Sequence, residues 1–338
     1  MRKAYFHIGF GKTGSSSLQA YLSANPIHLT ANNEKLLYCS FQRDGTILHG
    51  DKIAACAQQS PLKYEASFPD AAEWQDASLA RKELDRIFEQ GYTPIFSQED
   101  WGRRAGHFKD SKLFDQLNID VHAVVYVRPQ VDWFNSAWWQ WFAWSEKFSS
   151  PEDVIKAWGY KFMQWGNQIT PWKRLSRVKG VTVRLQVSDI VKDFLELMGG
   201  EAREKEYIVE RNNISLSPIL IKLLKRYPIL RSAHSADVDS ILSRYLQFEG
   251  RPPWVLNSQL ITDILDATRE DNILLMAMLD PSSRELMQND PRWWDADCFV
   301  NNRVWKEADY RLSENELLAV TGKVLPALID LGRKQTSS

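Results

Sequence analysis

Three short stretches of this chain combine residue types that could do chemistry on an anion. The first, residues 7 to 19, reads HIGFGKTGSSSLQ, an apolar strand end breaking into glycines, a lysine and hydroxyl side chains. Gly9 and Gly11 allow a sharp turn, and Gly14 lets backbone amides approach a bound group closely. Ser15, Ser16 and Ser17 open a helix whose free N–H groups and dipole favour an anion, and Lys12 adds a mobile positive charge. The pattern that wraps a nucleoside triphosphate is Gly, four residues, then Gly-Lys-Ser/Thr. Gly11-Lys12-Thr13 supplies its tail, but Phe6 stands where the first glycine belongs. The bland reading of the same residues is a strand–turn–helix with serine caps and a solvated lysine.

The second stretch is VVYVRPQVDWFNSAWWQW, with Arg128 at a strand end, Pro129 starting a turn, and Ser136 on the helix that follows. Arginine suits bidentate phosphate binding, and a helical serine eight residues on could reach the same group. Against this stands an ordinary surface ion pair beside a packed serine. The third is PIFSQEDWG, in which Glu99 and Asp100 directly follow a strand and could accept a proton. Their alternative role is to cap the start of a helix.

Whether these stretches meet depends on the elements that carry them. Residues 4 to 8 read as a buried strand and 15 to 24 as a helix. A helix is expected at 78 to 90, ending at Gly91, then a strand at 93 to 97. DVHAVVYV, 120 to 127, is unbroken enough to be a strand buried on both faces. Helices are expected at 131 to 143 and 151 to 166, a strand at 181 to 185, and a helix in DIVKDFLELM. Residues 25 to 77 read as irregular apart from a short strand at LLYCS. From 215 onward the pattern is mainly helical, at 216 to 227, 235 to 248, 258 to 279 and 313 to 331. Alternating strands and helices over the first 200 residues predict an α/β fold, a central parallel sheet covered on both faces. Ligands of such sheets bind outside the carboxyl ends of the strands, where all three stretches fall.

Composition limits the partners. A formal net charge of -1 and a pI of about 6.6 give no bulk attraction to nucleic acid or membrane, so an anion must be met by locally placed Lys and Arg. Cys39, Cys56 and Cys298 are scattered, which fits a reducing compartment and neither a disulfide framework nor a zinc site. The amino-terminal apolar run is too short for a signal-peptide core. The aromatic stretch WFNSAWWQWFAW is too short and too polar to span a bilayer, so a cytoplasmic location is expected. Fourteen tryptophans are many for this length; they read mainly as packing residues, with a few available to line a cleft.

Taken together, KTGSSSLQ and YVRPQVDWFNSAWWQ resemble the two donor-binding segments of the sulfotransferase superfamily, which uses 3′-phosphoadenosine 5′-phosphosulfate (PAPS). The likeness is closest to bacterial sulfotransferases whose chains start with a loop of the form HIG-x-x-KTG-[ST]-[ST]. It covers about residues 1 to 200. It implies a P-loop-like fold in one domain over 1–338, with an α/β core to residue 200 and a mainly helical extension on the acceptor side. It further implies that Lys12, Thr13, Gly14, Ser15, Ser16 and Ser17 contact the 5′-phosphosulfate and that Arg128 and Ser136 hold the 3′-phosphate. Arg211 and Asn213, in ERNNISLSP, lie where the family often closes a loop over the nucleotide, although a helix cap at Ser217 with Pro218 explains part of that stretch. Ser97-Gln98-Glu99 fits a bacterial Ser-x-Glu form, making Glu99 the first candidate base and Asp100 the second, where some relatives use a histidine. The implied reaction is metal-independent sulfuryl transfer to a hydroxyl or amine of a glycan, lipid or small molecule.

His7, at the end of the first strand, reads as a core residue, and His49 and His107 have no supporting motif. Two other readings stay open from the residues. One is a kinase or NTPase using Gly11-Lys12-Thr13; the other is a nucleotide- or glycan-binding module without catalysis.

Overall fold

The apolar runs of the sequence form the inner strands of one sheet. A computed structural model describes residues 2–200, 216–231, 237–248 and 250–336. Its strands are β1 (Lys3–Ile8), β2 (Ile27–Leu29), β3 (Lys35–Phe41), β4 (Ile47–His49), β5 (Tyr92–Gln98), β6 (Asp120–Val127) and β7 (Val178–Leu185). They lie in the order β2-β3-β5-β1-β6-β7, with β4 paired to β3. The five strands β3, β5, β1, β6 and β7 run parallel, while β2 and β4 are antiparallel to β3. The protein is therefore α/β with a mostly parallel, mixed sheet rather than a purely parallel one. Both antiparallel strands reach β3 by short connections, which permit only that pairing, whereas parallel neighbours need long crossovers.

Side-chain alternation along the inner strands builds a core on each face. Phe6 and Ile8 of β1 join Phe41, Phe96, Trp101 and Phe108 on one side. Tyr5, Tyr38, Ile95, Val124 and Tyr126 meet Leu18, Leu22, Ile190 and Phe194 on the other. Leu18 and Leu22 come from the helix Ser15–Ala24, and Ile190 and Phe194 from Ile190–Leu197; the first core also takes in Val131 and Trp133 of the helix Gln130–Ala137 and Leu260 and Ile261 of Ser258–Met276. Each fully buried Leu or Phe contributes about 1.5–3 kcal/mol, so burial on two faces fixes the inner strands firmly.

Several elements differ from expectation. Residues 25 to 77 hold β2, β4 and a helix, Gly50–Gln59, besides the expected strand. The helix expected at 131 to 143 is α-helical over Gln130–Ala137 and then widens into a π-helical turn, Trp138–Phe142. Four large aromatic residues fall within that turn, and the wider spacing buries Trp138, Trp139 and Phe142. The helix expected at 151 to 166 stops at Trp158, because Gly159 takes φ 67, and a short helix, Trp165–Ile169, follows separately. In the carboxyl-terminal part, Ser217 caps Pro218–Arg226 as the sequence suggests, its hydroxyl accepting from the Leu220 N–H. Helices Asp237–Leu246, Ser258–Met276 and Glu314–Thr336 complete the expected helical pattern. Among the described residues no helix is long and apolar enough to cross a membrane.

Candidate functional site

Strand order brings the three stretches together. β1 lies between β5 and β6, with Ile8 paired to Gln98 and His7 to both Ser97 and Val124. The residues after these strands therefore emerge side by side at the carboxyl edge of the sheet. There they surround a cleft of about 290 Å³. Lys12, Gly14, Ser15 and Ser16 line it from the first loop, Glu99 from the end of β5, and Arg128 and Ser136 from the end of β6 and its helix.

The loop is held by its neighbours. Gly9 donates to the Gln98 carbonyl at 3.1 Å and its own carbonyl accepts from Gly102 at 3.1 Å. A Cβ at Gly9 would lie 3.0 Å from Glu99 Cα and 2.7 Å from Ser15 Oγ, so only glycine lets the two loops approach this closely. The Gly11 carbonyl accepts from the Trp133 indole N–H at 3.1 Å, and the Lys12 carbonyl from Arg128 Nη1 at 3.0 Å. Among the described residues, the backbone N–H groups of Lys12, Thr13, Gly14, Ser15 and Ser16 donate no hydrogen bond. Thr13 Oγ1, Ser15 Oγ, Arg128 Nε and Gln140 Oε1 are buried and likewise have no partner there. Buried polar groups are normally paired. The free N–H and O–H donors concentrated around this one cleft suit an oxygen-rich anion, whereas the Gln140 oxygen can only accept.

Charge in the cleft is balanced. Burial pushes the Lys12 ammonium down from its ordinary value; Glu99 opposes that shift and Arg128 adds to it. Burial pushes the Glu99 carboxyl up, and Lys12 opposes that in turn. The carboxylate of Glu99 accepts no hydrogen bond among the described residues, which leaves it open to a proton donor. Asp100 is different: its carboxylate is taken by Arg104 Nε at 2.8 Å, in a cluster with Asp70 and Glu73 outside the cleft. Ser136 donates to the Asp132 carbonyl four residues back, at 3.0 Å, with its oxygen still on the cleft wall.

Other expected site residues stand elsewhere. Thr13 is buried beneath the loop, and Ser17 is not on the cleft wall. Arg211 and Asn213 lie outside the described residues. His7 is fully buried, its Nδ1 2.8 Å from Ser97 Oγ and its ring edge-on to Tyr126 and Phe194. Burial lowers its pKa to about 3, so it is a neutral core residue. The largest tryptophans act as packing residues with one polar duty each. The buried indoles of Trp101, Trp133, Trp165 and Trp172 donate to the carbonyls of Pro69, Gly11, Arg128 and Gly102.

The residues of the opposite wall were not singled out from the sequence, although they come from the segment 25 to 77 and the helical carboxyl-terminal part, the regions expected on the acceptor side. Leu62 and Tyr64 come from the connection before β5, and Asp239 and Ser240 from the helix Asp237–Leu246. Asp239 is gripped by Arg231 through two contacts of 2.6 Å, and that arginine lies 4.5 Å over the Trp144 ring. Gln140 and Gln186 also line the cleft. Each had a signal: Gln140 lies one helical turn beyond Ser136, and Gln186 directly follows β7. Asp239 had none. No family model matches the chain, and no characterised protein or solved structure matches it.

Proposed function

We propose that this protein is a sulfotransferase that moves a sulfuryl group from PAPS to a hydroxyl or amine acceptor. The observation that carries the reading is the convergence, in one cleft, of Lys12 with the loop's free amides, Arg128 with Ser136, and Glu99. A 5′-phosphosulfate fits the first group, since it carries one phosphate and no chain to wrap. The absence of a glycine at Phe6 is then no defect. A 3′-phosphate fits Arg128 and Ser136, which stand beside the loop rather than along it.

In the proposed reaction the acceptor oxygen attacks sulfur, forming the new O–S bond while the bridging S–O bond to the 5′-phosphate breaks. The acceptor proton passes to the Glu99 carboxylate. Negative charge grows on the departing phosphate oxygen, where Lys12 and the loop amides stabilise it; adenosine 3′,5′-bisphosphate leaves. As in phosphoryl transfer, the protein's work is mainly positioning and charge stabilisation. The acceptor would enter along the wall made by Tyr64, Trp139 and Asp239.

Ligand-dependent thermal unfolding tests the reading. Adenosine 3′,5′-bisphosphate at 100 times its dissociation constant should stabilise the fold by about 2.7 kcal/mol, while ATP with magnesium gives little. Preference for the triphosphate would replace this reading with a kinase or NTPase. Bisphosphate binding without transfer to any acceptor in a labelled-donor screen of glycans, lipids and phenols would favour the binding module.

A further inference from the structure

Two neighbouring residues of the loop, Gly11 and Lys12, have left-handed backbone, with φ 65 and 53. Glycine adopts this freely, but the Cβ of lysine makes it unfavourable. Something must hold Lys12 there. The carbonyls of both residues are occupied, one by the Trp133 indole and the other by the Arg128 guanidinium. In a trans peptide the C=O and the following N–H point in opposite directions. The indole that takes the Gly11 carbonyl therefore also aims the Lys12 N–H, and Arg128 does the same for Thr13.

The competing conformer is simple to define. Turning over the Gly11–Lys12 peptide moves ψ of Gly11 and φ of Lys12 by about half a turn, returning Lys12 to the ordinary negative range. It also exchanges a donor for an acceptor, so a carbonyl dipole would face the anion. Trp133 is well placed to prevent this. It is fully buried, meets Trp165 edge-on at 5.2 Å, and is covered by the Arg103 guanidinium at 5.4 Å. Trp141 lies against Gly11, where a Cβ would come within 2.7 Å of its ring. We propose that Trp133 is a positioning residue whose indole N–H, apart from its bulk, holds the Gly11–Lys12 peptide in the conformer that offers N–H to the 5′-phosphate of the donor. This rests on the donor reading given above.

The test separates the two ends of the nucleotide. Affinities of adenosine 3′,5′-bisphosphate and adenosine 3′-monophosphate are measured by calorimetry on the wild type and on Trp133→Phe, which keeps a ring but loses the N–H. The preference for the bisphosphate should fall about tenfold in the variant, with 3′-monophosphate affinity unchanged. An unchanged preference, or equal loss of both ligands, overturns the proposal, since a merely structural tryptophan gives the latter. If the wild type binds neither nucleotide, the donor reading fails and takes this proposal with it. Should Trp133→Phe not fold, hydrogen exchange on the wild type decides. The Trp133 indole proton should exchange slowly with and without bisphosphate, while the Lys12 amide exchanges fast until the ligand binds. A fast indole proton, or a Lys12 amide protected in the free protein, refutes it.

Discussion

In the proposed reaction Lys12, Glu99 and Arg128 have separable roles, and single substitutions should distinguish them. Arg128→Ala should weaken adenosine 3′,5′-bisphosphate binding about 10- to 100-fold, because a charged hydrogen-bond donor is lost from a site where Nε already waits without a partner. Normal binding in a titration would remove Arg128 from the 3′-phosphate. Lys12→Ala should instead lower kcat by roughly 10²- to 10³-fold, since charge on the leaving oxygen appears only in the transition state. Glu99 makes a pH prediction. Its carboxyl is raised by burial, so the acid limb of kcat should lie above the ordinary glutamate range, with activity lost as pH falls through it. Glu99→Gln should lower kcat by about 10²- to 10⁴-fold and abolish the limb; wild-type turnover in that variant would assign the base elsewhere. His7 predicts the opposite kind of pH effect, on stability. Its folded pKa of about 3 lies below the ordinary 6.5, so the unfolded chain binds the proton more tightly. Stability is complete above 6.5 and declines as pH falls toward 3, by up to ~5 kcal/mol. Urea titrations between those pH values should show this decline reduced in His7→Gln.

At the scale of elements, the first loop and its helix form a unit whose geometry is set by close approaches. Gly11→Ala introduces a Cβ 2.7 Å from the Trp141 ring at a residue with φ 65. The expected cost is about 1–3 kcal/mol of stability, with more than tenfold loss of bisphosphate affinity; denaturation and calorimetry on the same sample read both. Retained affinity would show that the loop conformation does not matter to the ligand. The helix Ser15–Ala24 and the strand β6 were legible to the residue, since serine and glycine punctuation and unbroken apolar runs are local signals. The β3–β4 hairpin had an Arg43-Asp44-Gly45-Thr46 turn signal that the irregular reading of this region passed over. The π-helical turn Trp138–Phe142 had no local signal, because it serves the packing of three aromatic residues into a core assembled from distant elements.

Across the whole molecule, the helix Ser258–Met276 of the carboxyl-terminal part is tied to the site by buried polar groups. Asp271 accepts from the Gly166 and Asn167 N–H groups at 2.9 and 2.7 Å. Asn272 accepts from Gln130 at 2.6 Å and donates to the Trp293 carbonyl at 3.2 Å. Gln130 opens the helix that carries Ser136, and Trp165, next to Gly166, donates to the Arg128 carbonyl at 2.9 Å. The helical part therefore braces the Arg128 wall of the cleft from behind. Asp271→Ala leaves two buried N–H groups unpaired and should cost about 2–4 kcal/mol in urea unfolding, without changing the slope. A change within 0.5 kcal/mol would mean that water replaces the carboxylate.

The sequence by itself determined the α/β class, the inner strands, the first helix and the residue types that meet an anion. These depend on periodicity and turn chemistry within a few residues of chain. The tertiary structure alone decided that Glu99, and not Asp100, faces the cleft, since Arg104 claims the second carboxylate. It also supplied Tyr64, Asp239 and Ser240 as the facing wall, and gave Trp133 a single carbonyl to hold. Such pairings join residues up to hundreds of positions apart, and no local pattern encodes them. They follow from the order β5-β1-β6, which sets three loops side by side before any ligand arrives.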